Sequence, residues 1–294
     1  METHFACLPC FMKQTIDAAC MVIPEKKEQE KIFRQVLKAI SEMDFQQSPP
    51  EMAQYIHREI QKISGCHDPY KELKTKYNQY ALDLYPAMKE KILNSPNQFE
   101  TAVRLAIAGN IIDFGASLVV DQAMIKQTIQ SSFTGPLMGN TDNLFDAISL
   151  AKKILFLGDN TGEIVFDRLL IEILPMDKVI YSVRGMPILN DATMEDAVQT
   201  GMTQKVKVIH NGSDAPGTIL KDCSKDFLKV FDEADLVISK GQGNFETLSH
   251  VDKNIYFLLK AKCHVIAAHI GCNTGTSIAG RPSDFKKGPI KVQG

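Results

Sequence analysis

The chain has 294 residues, 44% of them hydrophobic and 23% charged, and its 33 Lys and Arg nearly balance 35 Asp and Glu. A net charge of −2 leaves no basic footprint for general binding to nucleic acid or a membrane surface. Seven scattered cysteines argue against a disulfide framework, no apolar run approaches the ~18 residues of a membrane span, and no signal peptide is visible, so a reduced, cytoplasmic protein is expected.

Residues 1–150 read as an all-helical domain. Cys7-x-x-Cys10 with Cys20 is a candidate metal or redox triad. It lacks the second CxxC of a zinc site and any strand–helix redox context, so buried cysteines of a first helix are the plainer reading. Ile32, Val36, Leu37 and Ile40 recur at helical spacing between Lys26 and Met43, and Ser48-Pro49-Pro50 ends that helix. Met52 to Ile63 is a further helix, and Tyr70 to Leu93 a longer one that Pro86 kinks or breaks. Phe99 to Gly109 and the run from Ile111 are more apolar. Within that run Asn110 and Asp113 share a helical face, where they either tie a helix end to a loop or line a cleft around residues 105–120. Gly135-Pro136 and Gly139-Asn140 mark turns before a last helix, Asp142 to Lys152. Cys66-His67, His210, His250 and His269 read as structural.

From residue 151 to 294 the rhythm becomes strand, turn, helix. Strands are expected at 153–157, 178–183, 205–210, 235–239, 254–259 and 263–268, and helices at about 163–174, 193–200, 216–233 and 244–250. This alternation predicts a three-layer α/β/α, Rossmann-like, mainly parallel sheet, with the last closely spaced pair of strands antiparallel. The final twenty residues, rich in Gly, Pro and Lys, are expected to form an extended tail or edge.

Four strand ends feed polar turns that converge on one rim of such a sheet: Gly158 to Glu163, Arg184 to Asp191, Asn211 to Thr218 and Lys240 to Glu246. Asp159, Asn160 and Asp191 offer three hard oxygen ligands, which suit Mg²⁺ or Mn²⁺ with a phosphate completing the shell. The competing reading is helix capping, by Asn160 or Thr161 with Glu163, while Thr193 and Asp196 form a capping box that leaves Asp191 a plain loop residue. Lys240, followed by Gly241 and Gly243, has the form of a phosphate hand, although a loop lysine is usually solvated. Gly217-Thr218 is a weaker phosphate candidate. A P-loop, a dinucleotide fingerprint and a serine nucleophile elbow are all absent.

These motifs together resemble the damage-control phosphatases, a family of metal-dependent metabolite phosphatases. The resemblance runs through Cys7-x-x-Cys10; Asp68-Pro69-Tyr70 with Lys74 and Asn78; and Gly109-Asn110-x-x-Asp113. It continues through Gly158-Asp159-Asn160-x-Gly162-Glu163 with Asp167, Asn190-Asp191-x-Thr193 with Asp196, and Lys240-Gly241-x-Gly243-Asn244-Phe245-Glu246. The early CxxC and modest length are similar to the stand-alone microbial subfamily. The resemblance implies a helical domain on an α/β/α domain and one divalent metal held by Asp159, Asn160 and Asp191. Mg²⁺ or Mn²⁺ is expected, with Co²⁺ or Ni²⁺ as alternatives. Asp159 and Lys240 are the expected catalytic residues, Asp159 as ligand alone or also as nucleophile. Asn110, Asp113, Glu163, Asn190, Thr218, Gly241 and Asn244 are expected to bind the substrate. That substrate would be a phosphate monoester of a small metabolite, including damaged or side-product metabolites. The family is similar in fold to Rossmann-like methyltransferases, so an S-adenosylmethionine-dependent carboxyl methyltransferase is the alternative, and a non-catalytic metal- or nucleotide-binding module a third.

Overall fold

The computed structural model describes residues 1–109, 127 and 129–285. Its amino-terminal part contains α1 (Leu8–Val22), α2 (Lys26–Glu42), α3 (Pro49–Ser64), α4 (Lys71–Leu93) and α5 (Gln98–Ala108). Ser48 and Glu51 form a reciprocal capping box that sets the start of α3. Pro49 and Pro50 therefore open this helix, where their missing N–H groups leave no bond unmade, as well as ending the segment before it. Helix α4 runs on through Pro86. Phe11, Ala18 and Ala19 of α1 pack with Ile32 and Val36 of α2 and with Met52, Ile56 and Ile60 of α3. The window Phe5–Val22, at a mean hydropathy of 1.2 over 18 residues, does meet the length and composition of a membrane span, contrary to expectation; 22% of it is buried.

Among the described residues the sheet has seven strands: β1 (Leu137–Gly139), β2 (Ile154–Leu157), β3 (Val179–Val183), β4 (Lys207–His210), β5 (Leu236–Lys240), β6 (Ile255–Lys260) and β7 (Ser277–Gly280). Their order is β1-β7-β6-β5-β2-β3-β4. Strands β2 to β6 run one way; β7 is antiparallel to β6, and β1 is parallel to β7. The helices of this part are α6 (Thr141–Leu150), α7 (Glu163–Ile171), α8 (Met194–Gln199), α9 (Lys225–Glu233), α10 (Gln242–Leu248) and α11 (His264–Ile270).

Alternate residues of each strand feed opposite cores, as the pleat requires. Ile154, Phe156, Tyr181, Ile238 and Leu258 meet α4, α5, α6 and α7 on one face. Leu155, Leu157, Val237, Phe257 and Leu259 meet α9, α10 and α11 on the other. Both faces are covered, which explains why the central strands read as unbroken apolar runs. The chain winds outward from β2 through β3 and β4, then returns to place β5 on the other side of β2. Ligands in such sheets bind at the carboxyl end of the strands flanking this reversal.

Four elements differ from expectation. Residues 263–268 form helix α11, ended by Gly271 at φ 84°, and not a strand; a short apolar run carries no period that distinguishes the two. The antiparallel partner of β6 is instead β7, which lies inside the sheet between β6 and β1. Leu137–Gly139, within the stretch read as helical, supplies β1. The helix expected from 216 begins at Lys225, capped by Ser224. Upstream of it, Asn211 Oδ1 accepts from the N–H groups of Gly185 and Ser213, and Ser213 Oγ accepts from Ala215 N–H, local turns that compete with helix.

Candidate active site

Asp159 follows β2 and Arg184 follows β3, so both side chains rise from the same rim. The Arg184 guanidinium bridges two carboxylates, with Nε 2.6 Å from Asp191 Oδ2 and Nη2 3.3 Å from Asp159 Oδ1. Asn160 and Asp191 pair through an isolated antiparallel bridge, and Asp159 C=O accepts from Ala192 N–H at 2.7 Å. The three expected oxygen ligands are therefore brought together on two abutting turns. All are buried, with Asp159 8%, Asn160 6% and Asp191 3% exposed. Burial, with the Asp191 and Glu163 carboxylates nearby, pushes Asp159 well above the usual carboxylate range against the pull of Arg184 and Lys262.

The capping alternative for Asn160 and Thr161 is not what the turn shows. Gly162, at φ 71°, is the N-cap of α7 and no side chain caps it. Asn160 Nδ2 donates to Asp159 Oδ2 at 2.9 Å and Glu163 Oε2 at 3.2 Å, while Thr161 donates through N–H and Oγ1 to the Asn190 carbonyl. The Thr193–Asp196 capping box does exist, beside an Asp191 that points at Arg184.

Lys240 corrects the expectation of a phosphate hand. Its ammonium is fully enclosed and donates to Ala106 C=O at 2.8 Å, Glu163 Oε1 at 2.6 Å and Asp167 Oδ1 at 2.5 Å. Those three bonds use all three of its protons. Burial opposes the Lys240 charge, but the Asp167 and Glu163 carboxylates outweigh it and hold its pKa above the ordinary lysine value. Tyr181 of β3 donates to Asp167 Oδ2 at 2.8 Å. Glu163, also wholly buried, thus braces Lys240 and Asn160.

Thr218 and Asn244 are likewise buried supports. Thr218 Oγ1 donates to Asn244 Oδ1 at 2.8 Å, Arg184 Nη1 donates to the same oxygen at 3.1 Å, and Asn244 Nδ2 donates to the carbonyls of Gly158 and Lys240. They fix the guanidinium and the strand ends. Gly241, at φ 79°, lets backbone lie directly against Asp159: a Cβ there would stand 1.8 Å from Oδ2. Asn190 contributes its carbonyl to Thr161. Asn110 and Asp113 lie outside the described residues.

The amino-terminal helices hold these turns from the side. Asn78 of α4 accepts from Gly162 N–H at 2.8 Å and donates to Asp196 and Gln199. Lys74, 4% exposed, sits 3.2 Å from Asp196. From α3, Arg58 grips Asp214 with two N–H groups and Gln54 donates to both Asp214 and Asp222, anchoring the loop after β4.

Arg184 received no role from the sequence, yet it occupies the same place just past a buried strand as Asp159 does. That shared position was the available signal. Lys262, exposed in the turn after β6, acts electrostatically on Asp159 from the same rim of the sheet and was also missed.

Whether a divalent cation fits can be tested on charge. Asp159, Glu163, Asp167 and Asp191 are buried around two buried cations, Arg184 and Lys240, so with all four carboxyls ionised the described part of this core would carry more negative than positive charge. Buried charge is costly unless compensated. Two carboxylates and an amide oxygen are hard donors of the kind Mg²⁺ and Mn²⁺ take, leaving further positions for water or phosphate. Among the described residues no group of three His, Cys, Asp or Glu side chains is placed to hold a metal ion.

Comparison with known proteins agrees with this fold. The family model described as the damage-control phosphatase ARMT1-like domain matches residues 3–278. A damage-control phosphatase of Pyrococcus horikoshii is 34% identical over 292 residues, covering 96% of this chain and 98% of that protein. A damage-control phosphatase of Archaeoglobus fulgidus is 33% identical over 291 residues, covering 95% and 99%. An uncharacterized protein of Methanocaldococcus jannaschii is 40% identical over 286 residues, covering 92% and 93%. The crystal structure of a DUF89 family protein from Pyrococcus horikoshii superposes with a TM-score of 0.87 at 31% identity, over 96% of this chain and 99% of that one.

Proposed function

Since the chain belongs to the damage-control phosphatase ARMT1-like domain family, we propose that it is a metal-dependent phosphatase hydrolysing phosphate monoesters of small metabolites, damaged or side-product metabolites among them. The observation that carries the metal dependence is the pair of buried carboxyls, Asp159 and Asp191, drawn onto one guanidinium beside Asn160 in a core with more buried carboxyls than buried cations. In this reading Asp159, Asn160 and Asp191 hold Mg²⁺ or Mn²⁺, with Co²⁺ or Ni²⁺ as alternatives. The bound cation supplies charge neutralisation for the phosphoryl oxygens.

The chain's own residues do the rest. Arg184 keeps both carboxylates aimed at one point and is itself fixed by Asn244. Lys240 acts as a positioning residue: by pairing Glu163 and Asp167 it locks α7 against the end of β5. Gly241 admits the Asp159 carboxylate, and Lys262 lends positive charge on the side where an anionic substrate would arrive. Preorganised groups of this kind lower the barrier because they need no reorganisation as charge develops.

The test pairs hydrolysis of a panel of phosphate esters with thermal denaturation, each with and without Mg²⁺, Mn²⁺, Co²⁺ or Ni²⁺. A cation at about 100 times its Kd stabilises by roughly 2.7 kcal/mol. Asp159→Asn and Asp191→Asn are expected to lose both the turnover and the metal-induced rise in Tm. Hydrolysis that survives chelation, or survives in Asp159→Asn, would overturn the reading.

A further inference from the structure

The Cys7-Leu8-Pro9-Cys10 motif plays no part in the site above. Cys7 is the N-cap of α1, Cys10 is the third residue of that helix, and Pro9 lies in its first turn. N-cap and N3 side chains stand over the same helix end, the geometry that lets capping boxes form. Cα atoms three apart in a helical turn are about 5 Å apart, within the span of a disulfide. Both residues are free thiols; Cys10 is exposed and Cys7 half-buried.

The pair does not stand alone. Cys263, the N-cap of α11, and the Glu246 carboxylate of α10 both act electrostatically on each thiol of the pair, and Glu246 also acts on Cys263. Gln242 links the two, 3.8 Å from Cys263 Sγ and 3.0 Å from Glu246 Oε1. The third thiol of the group is thus Cys263 and not Cys20. Burial raises all three thiols, Cys7 to about 11. Such a setting penalises thiolates but not a neutral disulfide.

We propose that Cys7 and Cys10 form a dithiol–disulfide couple that exchanges with external disulfides. Cys10, the accessible thiol, loses its proton and attacks one sulfur of the external disulfide, forming a mixed disulfide and releasing one thiolate. Cys7 then loses its proton and attacks the Cys10 sulfur, closing the internal S–S bond and releasing the second thiolate. The two protons go to the two released thiolates, and the external disulfide takes up the two electrons. The inference does not depend on the phosphatase reading.

Oxidised glutathione is the probe, applied to the full chain before acid quench, alkylation, proteolysis and mass spectrometry. The expected result is a Cys7–Cys10 linkage with loss of two hydrogens, Cys20 and Cys66 remaining alkylated. Cys7→Ser should trap one glutathione on Cys10, and Cys10→Ser should block the linkage. Since the thiols rest protonated, the rate should rise about tenfold per pH unit between about pH 7 and 9. Three results would each overturn the proposal: both thiols still alkylated at the most oxidising ratio, a bond from Cys10 to Cys263 in place of the internal one, or one equivalent of zinc that resists chelation and disappears in Cys7→Ser.

Discussion

Gly241→Ala puts the geometry of the rim to a direct test. Gly241 has φ 79° and ψ 166°, a region other residues enter at roughly 1–3 kcal/mol. The added methyl would stand 1.8 Å from Asp159 Oδ2 and 2.2 Å from its Cγ. To reach an ordinary contact distance the carboxylate must retreat by roughly 1.5 Å. A misplacement of about 1 Å in a catalytic group can cost ~100-fold in rate, or about 2.7 kcal/mol of transition-state stabilisation. We therefore expect Gly241→Ala to lose at least about 100-fold in kcat/KM, read from initial rates of p-nitrophenyl phosphate hydrolysis at saturating Mn²⁺. Gly65→Ala is the control: φ there is 67° and nothing lies within 4 Å of the added Cβ, so it carries strain without collision. Turnover of Gly241→Ala within about threefold of the parent, in a protein that urea denaturation shows to be folded, would refute the role assigned to Asp159.

Two further expectations concern stability. Lys240→Met leaves Glu163 and Asp167 buried without their shared cation, and is expected to cost roughly 3–5 kcal/mol in urea unfolding at pH 7; a loss below about 1 kcal/mol would show that this network is not what secures α7. Burial pushes Glu246 from 4.5 up to about 7, with Gln242 and the chain's amino group pulling the other way. The folded state therefore binds more protons than the unfolded one between those values, so the stability this group contributes is complete below about pH 4.5 and is lost as pH rises through 7. Glu246→Gln should match the parent near pH 4.5 and exceed it by about 2–3 kcal/mol at pH 8, and parallel stability profiles for the two proteins would contradict this.

How much of this was legible depended on whether the information was local. The buried run Ile154–Leu157 followed by a polar turn located Asp159 and Asn160 correctly, because strand, turn and helix each leave a short-range pattern. The convergence of the strand ends followed from parallel topology alone. What the sequence did not carry was the direction in which long side chains point. Lys240 looked like a ligand-facing group from its glycine neighbours, but its orientation is set by Glu163 and Asp167, over seventy residues away. Arg184 went unassigned for the same reason, since its partners Asp159 and Asn244 lie on other segments of the rim. Strand β1 is three residues long, too short to show a period, and exists because β7 offers it an edge.

The Asn78 amide deserves a last thought for anyone cutting this chain. One side chain fastens the glycine that opens α7 and, through Asp196, the cap of α8. A fragment starting near residue 150 would lose that fastener together with β1 and with α4, α5 and α6, the helices that cover one face of the sheet. Helix α4 is thus both a wall of the sheet's core and a brace of its rim, and cutting the chain there removes both at once.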